Sequence, residues 1–367
     1  MPSPGGYRVP ERVTAFAPGR VNLIGEHTDY NGGLALPFSI ELGVTVRAVR
    51  ARGTAGGDGP GAAGCDPPGA VSVSALDLGE SDRFRLHAPE PARGWRAFAR
   101  GAAAELAAAG VALAPARLEV TGTVPRGAGL ASSGALSVAL CLALAAVADA
   151  QLPEPLELAR ICSRIENRWV GAQTGLLDPL AAMLGRCGQA LLIDFRTLTT
   201  EPVPLRLASF QLVTLDSGER HLNAGPSGGY GARRRECRRA CELLGVGSLS
   251  DADPALVGAL PEPLRSRALH VLGENERVRE AVQALRAGDP LWLGSLLDRS
   301  HESLRDLYGA STPAVERAIE RLHRAGAVGA RLIGGGFGGH VLGLLPGDAR
   351  VPRDAVVVAP GPGVRVR

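Results

Sequence analysis

The 367-residue sequence predicts a protein of mixed α and β structure organised as two units. Length is the first reason, because an ordinary single core uses about 100–200 residues. Patterning is the second. The first half alternates β-branched clusters with helix-spaced apolar runs, and helical patterns dominate from Tyr230 onward. The 45% hydrophobic and 21% charged content is that of a globular chain rather than a disordered one. Pattern alone does not choose between an α+β and another α/β arrangement.

The elements follow in order. Val13–Ala17 and Gly43–Arg50 read as strands. Residues 53–69 are rich in Gly, Pro and Ala and read as a surface loop. Val71–Leu76, Phe84–Leu86 and Leu118–Thr123 are further strands, with a helix over Trp95–Ala109 that Gly110 stops. A buried helix follows the glycine-rich stretch 127–134 and runs through Ala148, and another covers Pro155–Val170. Gln189–Asp194 and Phe210–Asp216 read as strands. Helices are expected over 233–244, 263–287, 290–308 and 313–325, then a strand, a five-glycine turn at 334–339 and a last strand over 340–345. A division is expected near residues 196–205, giving units 1–200 and 201–367.

Composition excludes several functions. A formal charge of +3 gives no general affinity for nucleic acid or an anionic membrane. All 40 basic residues are arginine, so there is no lysine for a P-loop or for a protein-kinase strand. Phosphate must be held by backbone N–H groups, helix termini, arginine or metal. The six cysteines include no C-x-x-C pair, which argues against zinc and disulfide frameworks. Residues 1–18 show no apolar signal core, and the apolar run 135–150 falls short of the roughly 20 residues of a membrane span. A reduced, cytoplasmic protein is expected.

Four segments carry chemistry. Gly127, Ala128, Gly129, Leu130, Ala131, Ser132 and Ser133 lead into a helix, whose free N–H groups and dipole suit an anion; a turn that only caps a core helix is the alternative. The stretch 19–33 crowds Arg20, Asn22, Glu26, His27, Thr28, Asp29 and Asn31 between glycines, which suits a ligand with many hydroxyls; a solvated loop is the alternative. Glu166 and Asp178 flank a Gly-containing loop. Asp178 before Pro179 also fits a helix N-cap with proline at the first helical position. The turn 334–339 has G-x-G-x-x-G spacing, but a strand follows it where a dinucleotide fingerprint needs a helix.

In this order the four segments resemble the galactokinases of the GHMP kinase superfamily. The match is most specific at 19–33, spans most of the chain, and is weakest at 51–115 and 246–290. The resemblance implies a two-domain α+β fold with the active site in the cleft between the domains. It implies an ATP-dependent sugar 1-kinase that converts galactose to galactose 1-phosphate, with N-acetylgalactosamine, arabinose or galacturonate as alternative sugars. A non-catalytic regulator on the same fold is a further alternative. Asp178 would take the proton of the anomeric hydroxyl, with Arg20 beside it. Glu26, His27, Thr28, Asp29 and Tyr230 would bind the sugar, and residues 127–133 the ATP. Ser133 and Glu166 would hold Mg2+. A monomer is expected, with sugar and ATP as its only partners.

Some residues depart from that pattern. Pro179 stands where Gln usually follows the catalytic Asp, and Thr174 where Cys is usual. Ala131 interrupts the serine run, Gly134 replaces an alanine, and His340 replaces a common cysteine.

Overall fold

The computed structural model describes residues 12–51, 69–124, 129–219 and 229–367. The first part of the chain forms β1 (Arg12–Asn22), β2 (Leu34–Ala35), β3 (Pro37–Arg50), β4 (Ala70–Ala75), β5 (Glu80–Arg85), α1 (Trp95–Ala108), β6 (Ala116–Gly122), α2 (Ser132–Val147) and α3 (Pro155–Arg164). A π-helical turn, Ile165–Val170, follows, then α4 (Leu177–Leu184), β7 (Gln189–Asp194) and β8 (Thr199–Pro204). The rest forms β9 (Phe210–Asp216), α5 (Gly229–Leu244), α6 (Pro254–Val257), α7 (Leu264–Ala287), α8 (Pro290–Asp306), α9 (Pro313–Arg324), β10 (Gly329–Leu332), β11 (His340–Pro346), β12 (Ala355–Val358) and β13 (Arg365–Val366). The expected loop 53–69, apart from its last residue, lies outside the described residues, as do Gly127 and Ala128.

Three sheets organise the described residues, in the orders β13-β1-β3-β6-β4-β5, β10-β11-β9-β12 and β2-β7-β8. Every pairing is antiparallel except β4 with β6, which makes the architecture α+β. Along β1 and β3 the alternate residues Val13, Ala15, Ala17, Val44, Val46 and Ala48 face a core shared with α1, α2 and α3. That is why α2 is apolar on all sides: it is enclosed, and each Leu it buries contributes about 1.5–3 kcal/mol. A second core lies between α5, α7, α9 and the β9–β11 sheet. A third joins the two, packing Val21, Leu23 and Ile24 against Val278, Leu296, Leu297 and Ile333. No helix among the described residues is long and apolar enough to cross a membrane.

Two local readings are corrected. The stretch 19–22, expected as part of a polar loop, is strand. Arg20, Val21 and Asn22 pair with Ser39, Phe38 and Pro37 beyond a bulge at Gly19. Its polar side chains hid the alternation. The helix expected over 155–170 keeps those bounds but is α-helical only to Arg164; the wider π-helical turn after it carries Glu166 and closes on Gly171 at φ 81°.

Candidate active site

The bulge at Gly19 begins the site. A Cβ there would lie 2.5 Å from Leu130 O, so only glycine lets the segment before α2 lie against β1. Arg20 N then donates to Leu130 O at 3.1 Å, tying strand to loop. A bulge also re-aims the next side chain. Arg20 Nη1 donates to Gly129 O at 2.5 Å, and Nη2 lies 2.7 Å from Asp178 Oδ1. Charge-assisted pairs with this geometry are the strong class of polar contact.

Asp178 is not an N-cap. Helix α4 starts at Leu177, and no side chain caps its first turn. Asp178 is its second residue and turns to Arg20 instead. Pro179 is third, where a helical N–H has no intrahelical acceptor, so the proline costs the helix no hydrogen bond. Asp178 reaches this place over Gly134, where an added Cβ would lie 2.7 Å from Asp178 Cβ. Gly134→Ala is therefore expected to displace Asp178 by several tenths of an ångström. Alanine's better helix propensity, about 1 kcal/mol, is offset by overpacking of about 1–3 kcal/mol. Stability should change little, while kcat falls roughly tenfold or more, since misplacement at a reacting centre is costly. Steady-state kinetics beside a thermal melt separates the two effects.

These groups line a cleft of about 340 Å³. Its lining includes the start of α2 with Gly129–Ser133 and the turn Gly334–Phe337, where a Cβ on Gly334 would lie 3.8 Å from Gly129 Cα. The floor carries Arg20, Glu26, His27, Asp29, Asp178 and Tyr230. Of the six non-glycine residues in the left-handed region among the described residues, three border it: His27 (φ 62°), Ala131 (φ 58°) and Phe337 (φ 60°). Such strain persists only where the surroundings impose it, and it gathers at functional sites.

The remaining candidates fall in different places. Glu26 Oε1 accepts from Gly334 N at 2.8 Å and lies 3.3 Å from Arg331 Nη2. Burial raises the Glu26 carboxyl, with Arg331 and Arg20 opposing. Burial keeps His27 well below its ordinary range, so it is neutral at pH 7. Desolvation pushes Asp29 up to about 6, against the pull of Arg234. Tyr230 packs 5.5 Å from the His27 ring. Ser133 Oγ donates to Glu166 Oε2 at 3.2 Å, and burial followed by the Asp178 charge pushes Glu166 up to about 8. Thr28 is not brought to the cleft. Its hydroxyl turns back on Gly25 O and Leu34 O, at 2.9 and 2.7 Å, and braces the loop.

Sequence reasoning missed the frame beneath the loop. Glu274 Oε1, from α7, accepts from Gly25 N at 3.0 Å and Ser300 Oγ at 2.7 Å, and its Oε2 accepts from Arg277 Nε at 2.7 Å. His270 Nε2 lies 3.2 Å from Glu26 O. Arg331 Nη1 donates to Asn22 O and Leu23 O at 3.1 and 3.0 Å. A lone arginine inside the apolar strand 329–332 was the available signal, since a fully buried charge needs a built partner set.

Residues 97–186 match the model of the GHMP kinases N terminal domain, and residues 281–357 that of the GHMP kinases C terminal. Fold and cleft together thus define a GHMP-type small-molecule kinase. Residues 6–50 match the galactokinase galactose-binding signature. The galactokinase of Mycobacterium tuberculosis (strain H37Rv) is 41% identical over 352 residues, covering 94% of this chain and 92% of its own. That of Thermotoga petrophila is 36% identical over 340 residues, covering 89% and 88%. The crystal structure of Lactococcus lactis galactokinase complexed with galactose superposes with a TM-score of 0.84 at 28% identity, over 97% of this chain and 95% of that one. Methanococcus jannaschii mevalonate kinase shares the fold, with a TM-score of 0.65 at 16% identity over 95% and 98%. The chain belongs to the galactokinase family.

Proposed function

We propose that the protein transfers the γ-phosphoryl group of ATP to the anomeric hydroxyl of galactose, giving galactose 1-phosphate and ADP. The observation that carries this reading is the Arg20–Asp178 pair, 2.7 Å apart, where the hydroxyl-reading loop and the start of α2 meet. The anomeric oxygen attacks the γ-phosphorus and its proton passes to Asp178. The bond from the γ-phosphorus to the bridging oxygen breaks, and ADP leaves. Arg20 holds Asp178 in place and sets positive charge beside the transferring group. In such transfer, alignment and charge stabilisation supply most of the catalysis. The N–H groups opening α2, with the facing glycine turn, hold the phosphates. Glu26, His27 and Asp29 read the sugar hydroxyls, and Tyr230 closes over them.

Ser133 and Glu166 fit magnesium. Both offer oxygen, and Glu166 is a buried carboxylate held well above its usual range beside a second carboxylate, a setting that a cation relieves. Mg2+ in kinases takes one or two protein ligands and completes its shell from phosphates and water. When bound, it neutralises charge on the β- and γ-phosphates.

The test is ADP release over a panel of sugars at fixed ATP and Mg2+. Galactose should give the highest kcat/KM. Turnover of an amino sugar or uronic acid with none of galactose would overturn the sugar assignment and leave the kinase. A pH effect follows from Asp29. Below about 6 its carboxyl is protonated in the free enzyme. Sugar hydroxyls that donate to the carboxylate favour the ionised form, so binding weakens as pH falls. Log kcat/KM should drop by about one unit per pH unit below 6, and this limb should vanish in Asp29→Asn.

A further inference from the structure

The loop that reads the substrate is wired into the second core by a line of hydroxyls. His27 Nδ1 lies 2.8 Å from the Tyr30 hydroxyl, which lies 2.7 Å from the Tyr308 hydroxyl, which lies 3.1 Å from Cys237 Sγ. The line joins three segments: the loop after β1, the turn after α8 and helix α5. Tyr308 is fully buried, with its ring 4.5 Å from those of His27 and His270. The other edge of His27 is different. Its Nε2 is buried and makes no hydrogen bond of ordinary geometry among the described residues, although the Gly335 backbone lies near enough to act on the ring, and the residue borders the cleft.

The chemistry of the four groups fixes a direction. A neutral imidazole has one N–H and one bare nitrogen, and each phenol has one proton to give. With Nδ1 bare the line has one arrangement, whereas with Nδ1 protonated a phenol can also accept from both neighbours; run head to tail, it has two directions. In one, the thiol donates to Tyr308, Tyr308 to Tyr30, and Tyr30 to His27 Nδ1. In the other, Nδ1–H donates outward and the line ends on sulfur. The bare imidazole nitrogen is the best acceptor of the set, and the thiol sulfur is a weak one. The first direction ends on the best acceptor and leaves only the weak S–H donor at the origin. Arg234, with its guanidinium carbon 4.7 Å from the Tyr30 ring centre, adds to this by making that phenol a stronger donor.

We propose that Tyr30 and Tyr308 are positioning residues that hold His27 with its proton on Nε2, so that His27 meets the substrate as a hydrogen-bond donor to a sugar oxygen. The proposal rests on the reading of this cleft as a sugar site. The left-handed backbone of His27 occurs in the residue that both meets the hydroxyl line through Nδ1 and borders the cleft. A substrate whose corresponding position can only donate is rejected, because two donors would meet.

The test is 15N NMR of histidine-labelled protein, with His27 assigned by its loss in His27→Gln, beside sugar kinetics. In the wild type without ligand, His27 should show a bare Nδ1 and a protonated Nε2. In Tyr30→Phe the two shifts should converge as the tautomers mix, with KM for galactose rising about 3–10-fold and kcat nearly unchanged. Tyr308→Phe should move both in the same sense by less. A wild-type His27 protonated on Nδ1 overturns the proposal, as do unchanged His27 shifts in Tyr30→Phe. If galactose supports no ADP release at all, the sugar reading fails, while the NMR arm still decides the tautomer.

Discussion

Asp178→Asn is expected to lower kcat by about 10²–10⁴-fold, the usual contribution of a positioned proton acceptor, with KM for galactose changed only a few-fold. Asparagine keeps the shape and removes the acceptor. Arg20 retains its bond to Gly129 O, so the start of α2 stays in place. The thermal midpoint should therefore move little, which separates lost chemistry from lost fold. Steady-state ADP release measures the first quantity and a melt the second. A variant with wild-type kcat would remove Asp178 from the chemistry. An inactive variant beside an active wild type also excludes a non-catalytic regulator.

Arg331→Met is expected to act chiefly on the fold. Arg331 is fully buried, bridges two carbonyls of β1 and the residue after it, and lies against Glu26. Methionine fills part of the volume but leaves Asn22 O, Leu23 O and the Glu26 carboxylate without their cation. Removing one partner of a buried charge set typically costs about 3–5 kcal/mol. The thermal midpoint should fall by roughly 5–15 °C. Surviving protein should show a raised KM for galactose, because Glu26 loses one of the groups that fix it. An unchanged midpoint would mean that Arg331 is dispensable to the frame. Lysine is a poor substitute: a single ammonium cannot span both carbonyls and the carboxylate as a guanidinium fork does.

Much of the architecture was legible because it rests on local rules. Gly110 stops α1, prolines open α8 and α9, and the apolar run 135–147 is a helix enclosed by others. The polar stretch 19–33 stood out as a candidate site by its density of polar types, of which Arg20, Glu26, His27 and Asp29 line the cleft. Other features were not. Strand β8 carries Pro202 and Pro204, which mask its period, and it forms because β7 is there to pair with it. Asp178 read as a cap because Asp-Pro fits one, and only its place between Arg20 and Gly134 decides otherwise. The Glu274–Arg277 pair was invisible for a similar reason. An i,i+3 ion pair on a helix looks like a solvated face until tertiary structure buries it.

The central claim is phosphoryl transfer to the anomeric oxygen of galactose. Its most direct test is a 31P NMR time course of enzyme with ATP, Mg2+ and galactose. The account predicts one ADP per sugar phosphate formed, with the new phosphorus coupled to the anomeric proton. ADP appearing together with inorganic phosphate regardless of sugar, or phosphorus coupled to any other sugar proton, would contradict it.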